Sequence, residues 1–220
     1  MPRFHSVRDL CVDTSFAILG PIANNVYVID DGEGVIVVDP SCQPKAIMGM
    51  VGERKVDAIF VTHRHEDHVG ALYDMHRLTG APVYAPAIEA AVIEAGVESQ
   101  YGLSAHGCPV DVRVNDGDKL KIGKTTWNVL STPGHTEGSV CYYLRQQDAP
   151  KKGAPVLLSG DTLFCSSIGR TDFPGGSMKQ MRSSLRRLAK LPDEVVVLPG
   201  HNALTTMKAE KRTTIPYYAG

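Results

Sequence analysis

Four short apolar segments of the sequence are each followed, at once or within three residues, by a histidine or an aspartate. The four pairs are AIFVT before His63, NVLST before His135, VLLSG before Asp161 and VVVLPG before His201. Segments of this length that are rich in valine, isoleucine and leucine are typical of buried strands. In layered α/β proteins the loops at strand ends are where functional sites are assembled. The pattern therefore predicts four strands whose ends carry one polar site.

Strand-like and helix-like segments alternate along the rest of the chain. A hairpin is predicted at 25–30 and 35–39, and the clearest helix at 178–191, where apolar residues recur at helical spacing. The other predicted helices are 44–54, 69–78 and 88–95, and the other predicted strands are 56–62, 83–84, 119–122, 126–130, 139–144, 155–159 and 194–198. Such alternation indicates the α/β class. Because no linker or low-complexity stretch divides the chain, residues 1–220 are expected to form a single domain.

The charge balance and the cysteines restrict partners and location. The 220 residues carry 23 Lys and Arg against 24 Asp and Glu, a formal charge of −1. We therefore expect no nucleic-acid partner, because binding to the phosphate backbone needs a basic excess. We also expect no membrane partner, because that needs a basic surface or a long apolar span. Five cysteines without a CxxC spacing, together with an N-terminus that lacks secretory-signal features, predict a cytoplasmic protein.

The segment HRHEDH at 63–68 has the composition of a metal site. His63 and His65, two residues apart on extended chain, project to the same side and can share one ion. Asp67 and His68 come at the start of the next predicted helix, with Asp67 expected at its N-cap, and can reach a second ion. Together with His135, Asp161 and His201 this set exceeds the needs of one tetrahedral zinc. It predicts two divalent ions, zinc first, with iron or manganese as alternatives.

The pattern HxHxDH followed by a later His, Asp and His resembles the metallo-β-lactamase superfamily. TPGHTEGS, SGDTLF, SIGRTDFPGG (167–176) and LPGHN resemble its glyoxalase II-like branch, the hydroxyacylglutathione hydrolases. The resemblance implies a four-layer αβ/βα sandwich, with two packed mixed sheets and outer helices. It also implies that His63, His65 and His135 bind one metal, that Asp67, His68 and His201 bind the other, and that Asp161 bridges both.

The sequence departs from the family pattern in two ways. The classical metallo-β-lactamases carry a cysteine where Asp161 falls here, and this difference argues against hydrolysis of antibiotics. Full-length glyoxalase II proteins add a C-terminal helical domain that contacts glutathione. The sequence ends soon after His201, at Gly220, so this domain is expected to be absent.

The expected reaction is hydrolysis of a thioester, for which the resemblance implies an S-2-hydroxyacylglutathione, so that the partner is a small glutathione conjugate. A metal-bridging hydroxide, available because metals lower the pKa of bound water to about 7, would attack the carbonyl while Asp67 orients it. A thiol of pKa about 8.5 leaves without help, whereas an amine must first be protonated. The motifs offer no spare histidine or lysine for that task. A thioester or a lactone is therefore favoured over an amide.

Two other reactions stay open, and metal count and oxygen consumption separate the first of them from thioester hydrolysis. One is oxidation of a persulfide by a mononuclear iron dioxygenase, and the other is lactone hydrolysis on the same fold. Persulfide dioxygenases have a similar GRTDF run whose arginine holds glutathione, which implies a substrate contact for Arg170. A solvated position in the loop, or an ion pair with Asp172, is the alternative for this side chain. Nucleic-acid processing, found in other branches, is disfavoured by the near-zero net charge.

Overall fold

The computed structural model describes residues 3–98 and 104–220. The strands of its first large sheet are β1 (Phe4–Val7), β2 (Asp13–Leu19), β3 (Asn24–Asp30), β4 (Val35–Val38), β5 (Ala58–Phe60), β6 (Val83–Pro86) and β9 (Val112–Val114). They are hydrogen-bonded in the order β1-β2-β3-β4-β5-β6-β9. The first four are antiparallel, and β4, β5, β6 and β9 are parallel. A separate two-stranded antiparallel sheet consists of β7 (Val97–Glu98) and β8 (Ser104–Ala105).

The second large sheet holds the C-terminal half of the chain. Its strands are β10 (Lys119–Ile122), β11 (Thr125–Ser131), β12 (Val140–Leu144), β13 (Val156–Gly160), β14 (Val196–Pro199) and β15 (Thr205–Thr206), hydrogen-bonded in that order. Only the pair β13–β14 is parallel. Because β11, β13 and β14 therefore run in the same direction, the three predicted site segments that follow them leave the sheet at one edge.

Helices cover the outer face of each sheet. They are α1 (Pro44–Val51), α2 (Glu66–Val69), α3 (Leu72–Thr79), α4 (Ala90–Ala95), α5 (Met178–Leu188), α6 (Met207–Glu210) and α7 (Thr214–Ala219), with a short 3-10 helix at Gln146–Asp148. The described residues contain no helix that combines the length and the apolar character needed to cross a membrane.

Three buried clusters fill the spaces between these layers. One lies between the first sheet and α1, α3 and α4, and another between the second sheet and α5 and α7. The third lies between the two sheets, where Phe60 stacks on Tyr142 with ring centroids 4.5 Å apart and meets Trp127 edge-on. This arrangement confirms the four-layer sandwich.

The predicted helix 69–78 is wrong in its boundaries and in the placement of Leu78 on its buried face. The chain forms two helices, α2 and α3, because the N–H of Ala71 donates to the carbonyl of Pro40 and not to a helical partner. A Cβ atom at Gly70 would lie 2.3 Å from the carbonyl oxygen of Ser41, so only glycine fits this break. Leu78, predicted on the apolar face, is 60% exposed.

Asp31 joins the two sheets at the turn between β3 and β4. Its carboxylate accepts the backbone N–H groups of Glu33 and Gly34 in its own turn, at 2.9 and 2.7 Å. It also accepts those of Lys124 and Thr125, at 2.6 and 2.9 Å, in the turn between β10 and β11. Burial opposes ionisation of Asp31, but these four donors outweigh it and lower the pKa of the carboxyl.

Candidate metal centre

All seven predicted ligands lie together at the edge of the sandwich where the chain leaves β5, β11, β13 and β14. Their ligand atoms form three overlapping groups, each within 4.8 Å. The first group is His63, His65 and His135, and the second group is Asp67, His68 and His201. A linking set, His63, His68 and Asp161, lies between these two groups. The structure thus brings together the residues that the sequence predicts. Their binding of metal stays a prediction.

The first group contains three imidazoles from two sheets. His65 Nδ1 lies 2.8 Å from His135 Nε2, although His65 follows β5 and His135 follows β11. The ring of His63 meets both others nearly edge-on, with centroids 4.9 Å from His65 and 4.8 Å from His135. The three nitrogen donors therefore converge on one point, as a trio of zinc ligands does.

The second group is centred on the Oδ2 atom of Asp67. This oxygen lies 3.3 Å from His68 Nε2 and 3.2 Å from His201 Nε2. The expectation that Asp67 caps a helix is wrong, because the N-cap of α2 is His65 and Asp67 is the second residue of the helix. The position within the first helical turn points its carboxylate toward His68 and His201.

Asp161 lies between the two groups. Its Oδ1 is 3.3 Å from His68 Nε2, and its Oδ2 is 3.5 Å from both His135 Nε2 and His201 Nε2. Each carboxylate oxygen thus faces a different set of ring nitrogens. This is the placement that the predicted bridging role requires.

The other ring nitrogen of four histidines is held by a neighbouring oxygen. The pairs are His63 Nδ1 with Thr62 Oγ1 at 3.0 Å, His68 Nδ1 with Asp39 Oδ2 at 3.0 Å, His135 Nδ1 with the Arg170 carbonyl at 2.7 Å, and His201 Nδ1 with the Ile22 carbonyl at 3.2 Å. Such contacts fix the ring orientation and leave Nε2 facing the centre, as is usual for metal-binding histidines.

Buried atoms without hydrogen-bond partners show that the centre fits a metal ion. In the described part of the chain, His63 Nε2, His68 Nε2 and Asp161 Oδ1 are buried and make no hydrogen bond. Buried polar atoms are nearly always paired, because an unpaired one loses its hydration without compensation. All three face the cluster, and imidazole nitrogen and carboxylate oxygen are the donors that zinc, iron and manganese accept.

His63 and His65 are held in the neutral form that ligation needs. Burial lowers the pKa of His63 well below its usual range, and the neighbouring His68 and His135 add to the shift. Burial, with His135 and His68, lowers the pKa of His65 to about 3. Their lone pairs are therefore not taken up by protons at neutral pH.

The carboxylates of the centre are held ionised. Burial opposes this, but His68 and the other neighbouring histidines together outweigh it, so the pKa values of Asp67 and Asp161 lie below their usual range. In return the carboxylates, against the effect of burial, raise the pKa values of His68 and His201. Histidine protons and metal ions compete for these two rings.

Two buried partners of the ligands were not among the predicted site residues. Asp39, directly after β4, accepts from Thr62 N and Thr62 Oγ1 at 2.8 and 2.7 Å in addition to its contact with His68. Asp39 follows a strand as the predicted ligands do, so the same strand-end pattern could have indicated it as a site residue. Asn24 Nδ2 donates to Asp67 Oδ2 at 2.8 Å, and no motif indicates this contact.

A small cavity opens beside the second group. Its volume is about 100 Å³, and Asn24, Ser41, Cys42 and Asp67 contribute to its lining. Polar groups therefore face open space on the Asp67 side of the centre.

Arg170 lies on the loop that covers the first group. Its side chain is 59% exposed, and its guanidinium makes two hydrogen bonds to Asp172, at 2.9 and 2.8 Å. It also stacks over Phe173, 4.1 Å from the ring centroid, and the Phe173 ring meets that of His65 edge-on. The structure thus shows the ion pair with Asp172, close to the centre, while the substrate contact stays a prediction.

The fold and the ligand cluster define a protein of the αβ/βα type with a candidate metal centre, and comparison with known families agrees. The family model of the metallo-beta-lactamase superfamily matches residues 19–201. The chain therefore belongs to the metallo-beta-lactamase superfamily.

Two relatives illustrate its position in the family. The probable metallo-hydrolase YqgX of Bacillus subtilis is 32% identical over 200 residues, which cover 88% of this chain and 92% of the relative. Hydroxyacylglutathione hydrolase of Yersinia pestis is 34% identical over 190 residues. That match covers 86% of this chain but only 62% of the enzyme.

Two solved structures are similar along most of the chain. The B3 metallo-beta-lactamase BLEG-1 superposes with a TM-score of 0.81 and 30% identity, covering 99% of this chain and 100% of its own. TTHA1623, solved in a di-iron-bound form, has a TM-score of 0.77 and 33% identity, covering 89% of this chain and 96% of its own.

Proposed function

We propose that this protein is a dinuclear metal-dependent hydrolase of thioesters, acting on S-2-hydroxyacylglutathione or a closely related glutathione conjugate. The observation that carries the proposal is the position of Asp161 between two ligand groups. Its two carboxylate oxygens lie 3.3 to 3.5 Å from nitrogens of both groups. A single ion needs only one such group, so a carboxylate shared by two groups supports the binding of two ions. We propose zinc first, with iron or manganese as alternatives.

The residues of the centre have separate tasks in this proposal. His63, His65 and His135 would hold one ion, Asp67, His68 and His201 would hold the other, and Asp161 would contact both. Bound divalent metal supplies an acidic water molecule and an electrophile for a carbonyl oxygen. Asp67, ionised and held by Asn24, would accept a hydrogen bond from such a water and so orient it toward the carbonyl carbon.

The chemistry of the leaving group favours a thioester. Both carboxylates and all five histidines of the centre belong to the ligand groups. An amine leaving group needs a protonated partner, which these ligands do not offer once they hold metal. A thiolate, with a conjugate-acid pKa of about 8.5, leaves unaided. The relative named hydroxyacylglutathione hydrolase also supports a thioester.

For the thiol carrier we propose glutathione, with Arg170 as a contact. The carbonyl of Arg170 holds His135, so its loop lies at the centre. The exposed guanidinium can pair with a carboxylate of the carrier in addition to Asp172. We expect Arg170→Ala to raise KM for a glutathione thioester and to leave kcat unchanged, and an unchanged KM would remove this contact from the proposal.

We propose a cytoplasmic location, which the cysteines support. All five are free thiols, and three of them, Cys11, Cys108 and Cys141, are buried. Burial raises the pKa of these three to about 11, 12 and 11, which makes them poor nucleophiles.

The similarity to BLEG-1 makes β-lactam hydrolysis the second candidate function. Release of a β-lactam amine needs a proton donor, which is why we rank this reaction below thioester hydrolysis. The similarity to a protein solved in a di-iron-bound form supports iron as an alternative metal. Oxidation of a persulfide by a single iron is a separate candidate function.

One panel of assays tests the proposal. Purified protein loaded with zinc, iron or manganese is assayed with S-lactoylglutathione, a chromogenic β-lactam, a homoserine lactone and, in an oxygen electrode, glutathione persulfide. We expect thiol release from the first to exceed the other rates by about 100-fold or more and to disappear in Asp67→Ala. Oxygen uptake without thiol release, or a faster lactam or lactone reaction, would overturn it.

A further inference from the structure

Arg64 and Glu89 form a buried ion pair behind the first ligand group. The Arg64 side chain is 14% exposed and that of Glu89 is fully buried, with Nη1 3.2 Å from Oε1. Glu89 is the N-cap residue of α4, but its carboxylate makes no hydrogen bond to that helix. It instead accepts the backbone N–H of Arg64 at 3.2 Å. The pair therefore binds the backbone of the loop between His63 and His65.

Both side chains also reach the other loops around the first group. Glu89 Oε1 accepts the N–H of Gly138, in the loop that carries His135, at 2.7 Å. Arg64 Nη1 donates to Glu137 at 3.1 Å, and Nη2 donates to the carbonyl of Pro174, in the loop of Arg170, at 3.3 Å. One ion pair thus connects the three loops that supply or cover His63, His65 and His135.

Two glycines show how closely these loops approach the pair. A Cβ atom at Gly138 would lie 2.4 Å from Glu89 Oε1, and one at Gly175 would lie 2.6 Å from Arg64 Nη2. Gly175 also has a φ of +85°, in the region that favours glycine. The backbone is therefore in direct contact with the pair on two sides.

We propose that Arg64 and Glu89 are positioning residues that set the metal affinity of the first ligand group and not that of the second. This inference rests on the metal centre proposed above. Outer residues that orient metal ligands typically change metal affinity by about 10- to 100-fold when they are replaced. In the second group, Asp67 is instead held by Asn24, and His201 is held by the carbonyl of Ile22. The Arg64–Glu89 pair contacts neither of these partners.

The test compares metal affinity in two backgrounds, each with one ligand group disabled. His201→Ala leaves the first group, and His135→Ala leaves the second. The double substitution Arg64→Met with Glu89→Gln removes the pair without leaving one buried charge alone. The matched control is Arg113→Met with Glu94→Gln, which removes an exposed ion pair, 55% and 34% exposed, that also involves α4. Zinc affinity of the metal-free proteins is measured by competition with a chromophoric chelator.

We expect the double substitution to weaken zinc binding about 10- to 100-fold in the His201→Ala background and less than about 2-fold in the His135→Ala background. The control should change neither. Unchanged affinity in the first background, or equal losses in both, would overturn the inference. The readout needs no substrate, so failure of the thioester assay is a separate result. A native protein without any zinc affinity would overturn the proposed centre and this inference together.

Discussion

His65 Nδ1 and His135 Nε2 lie 2.8 Å apart, although the two residues follow strands of different sheets. The contact exists only when the two sheets pack through Phe60, Trp127 and Tyr142. The first ligand group therefore forms only through the packing of the two sheets. If one of its histidines is substituted, no neighbour on the same strand can take its place.

Replacement of His135 by alanine is expected to disable the first group. His65 and Asp161 would each lose a nitrogen partner, so bound metal should fall by one ion per chain. kcat/KM for S-lactoylglutathione should fall by about 100-fold or more, because the metal supplies both nucleophile and electrophile. Metal analysis and thiol release measure the two effects. His106→Ala, at an exposed position, is the control, and full metal content in His135→Ala would contradict the prediction.

Gly200 is expected to tolerate no side chain. A Cβ atom there would lie 2.4 Å from Asp161 Oδ1 and 2.6 Å from His68 Cε1. We expect Gly200→Ala to displace both ligands and to lower zinc affinity about 10- to 100-fold, with an overpacking cost of about 1–3 kcal/mol.

Gly49→Ala is the contrasting substitution. Among the described residues its Cβ would meet only the ring of Phe4, at 3.3 Å, and Phe4 is 45% exposed and can move. Gly49 lies within α1, where alanine is favoured over glycine by about 1 kcal/mol. Chelator competition and urea unfolding compare the two variants. Normal zinc affinity in Gly200→Ala would show that the close approach is unimportant.

Asp39→Asn is expected to disturb His68. Three donors face the carboxylate: Thr62 N, Thr62 Oγ1 and His68 Nδ1. An amide in its place adds donors, so one group stays unsatisfied at a cost of about 1–3 kcal/mol. Urea unfolding of the metal-free protein measures this cost. Zinc affinity should also fall about 10- to 100-fold, and native values of both quantities would argue against an orienting role for Asp39.

Asp31 is expected to make stability depend on pH in the acidic range. Its pKa is lower in the folded protein than in the unfolded chain, where it is about 3.9. Its contribution is therefore present above pH 4 and is lost as pH falls through the lowered folded value. We expect Asp31→Asn to cost about 1.5–3 kcal/mol at pH 7 and progressively less below pH 4. Urea unfolding from pH 7 to pH 3 tests this against the exposed control Glu53→Gln, and a difference that does not depend on pH would contradict it.

The clustering of the seven candidate ligands could be predicted from sequence because each of them follows a recognisable strand or lies in HRHEDH. Strand ends need only local patterns, since a run of valine, isoleucine and leucine bounded by glycine is readable without the fold. For the same reason β3, β4 and α5 lie close to their predicted positions. The strand β2 was missed because its sequence, DTSFAIL, begins with polar residues.

The supporting contacts could not be predicted, because they join residues far apart in sequence. Asn24 and Asp67 are separated by 43 positions, and Arg64 and Glu89 by 25. Their proximity depends on the order of strands and on how loops approach each other. The break between α2 and α3 is similar, since it depends on Pro40 and Ser41 at the end of another strand.

The number of metal ions per chain tests the central claim most directly. Protein is purified without added metal, reconstituted separately with zinc, iron and manganese, freed of excess ion and analysed by mass spectrometry of the elements. The shared position of Asp161 predicts two ions per chain, and one in both His135→Ala and His201→Ala. A single ion in the native protein, unaffected by His201→Ala, would contradict the dinuclear centre and favour a mononuclear one.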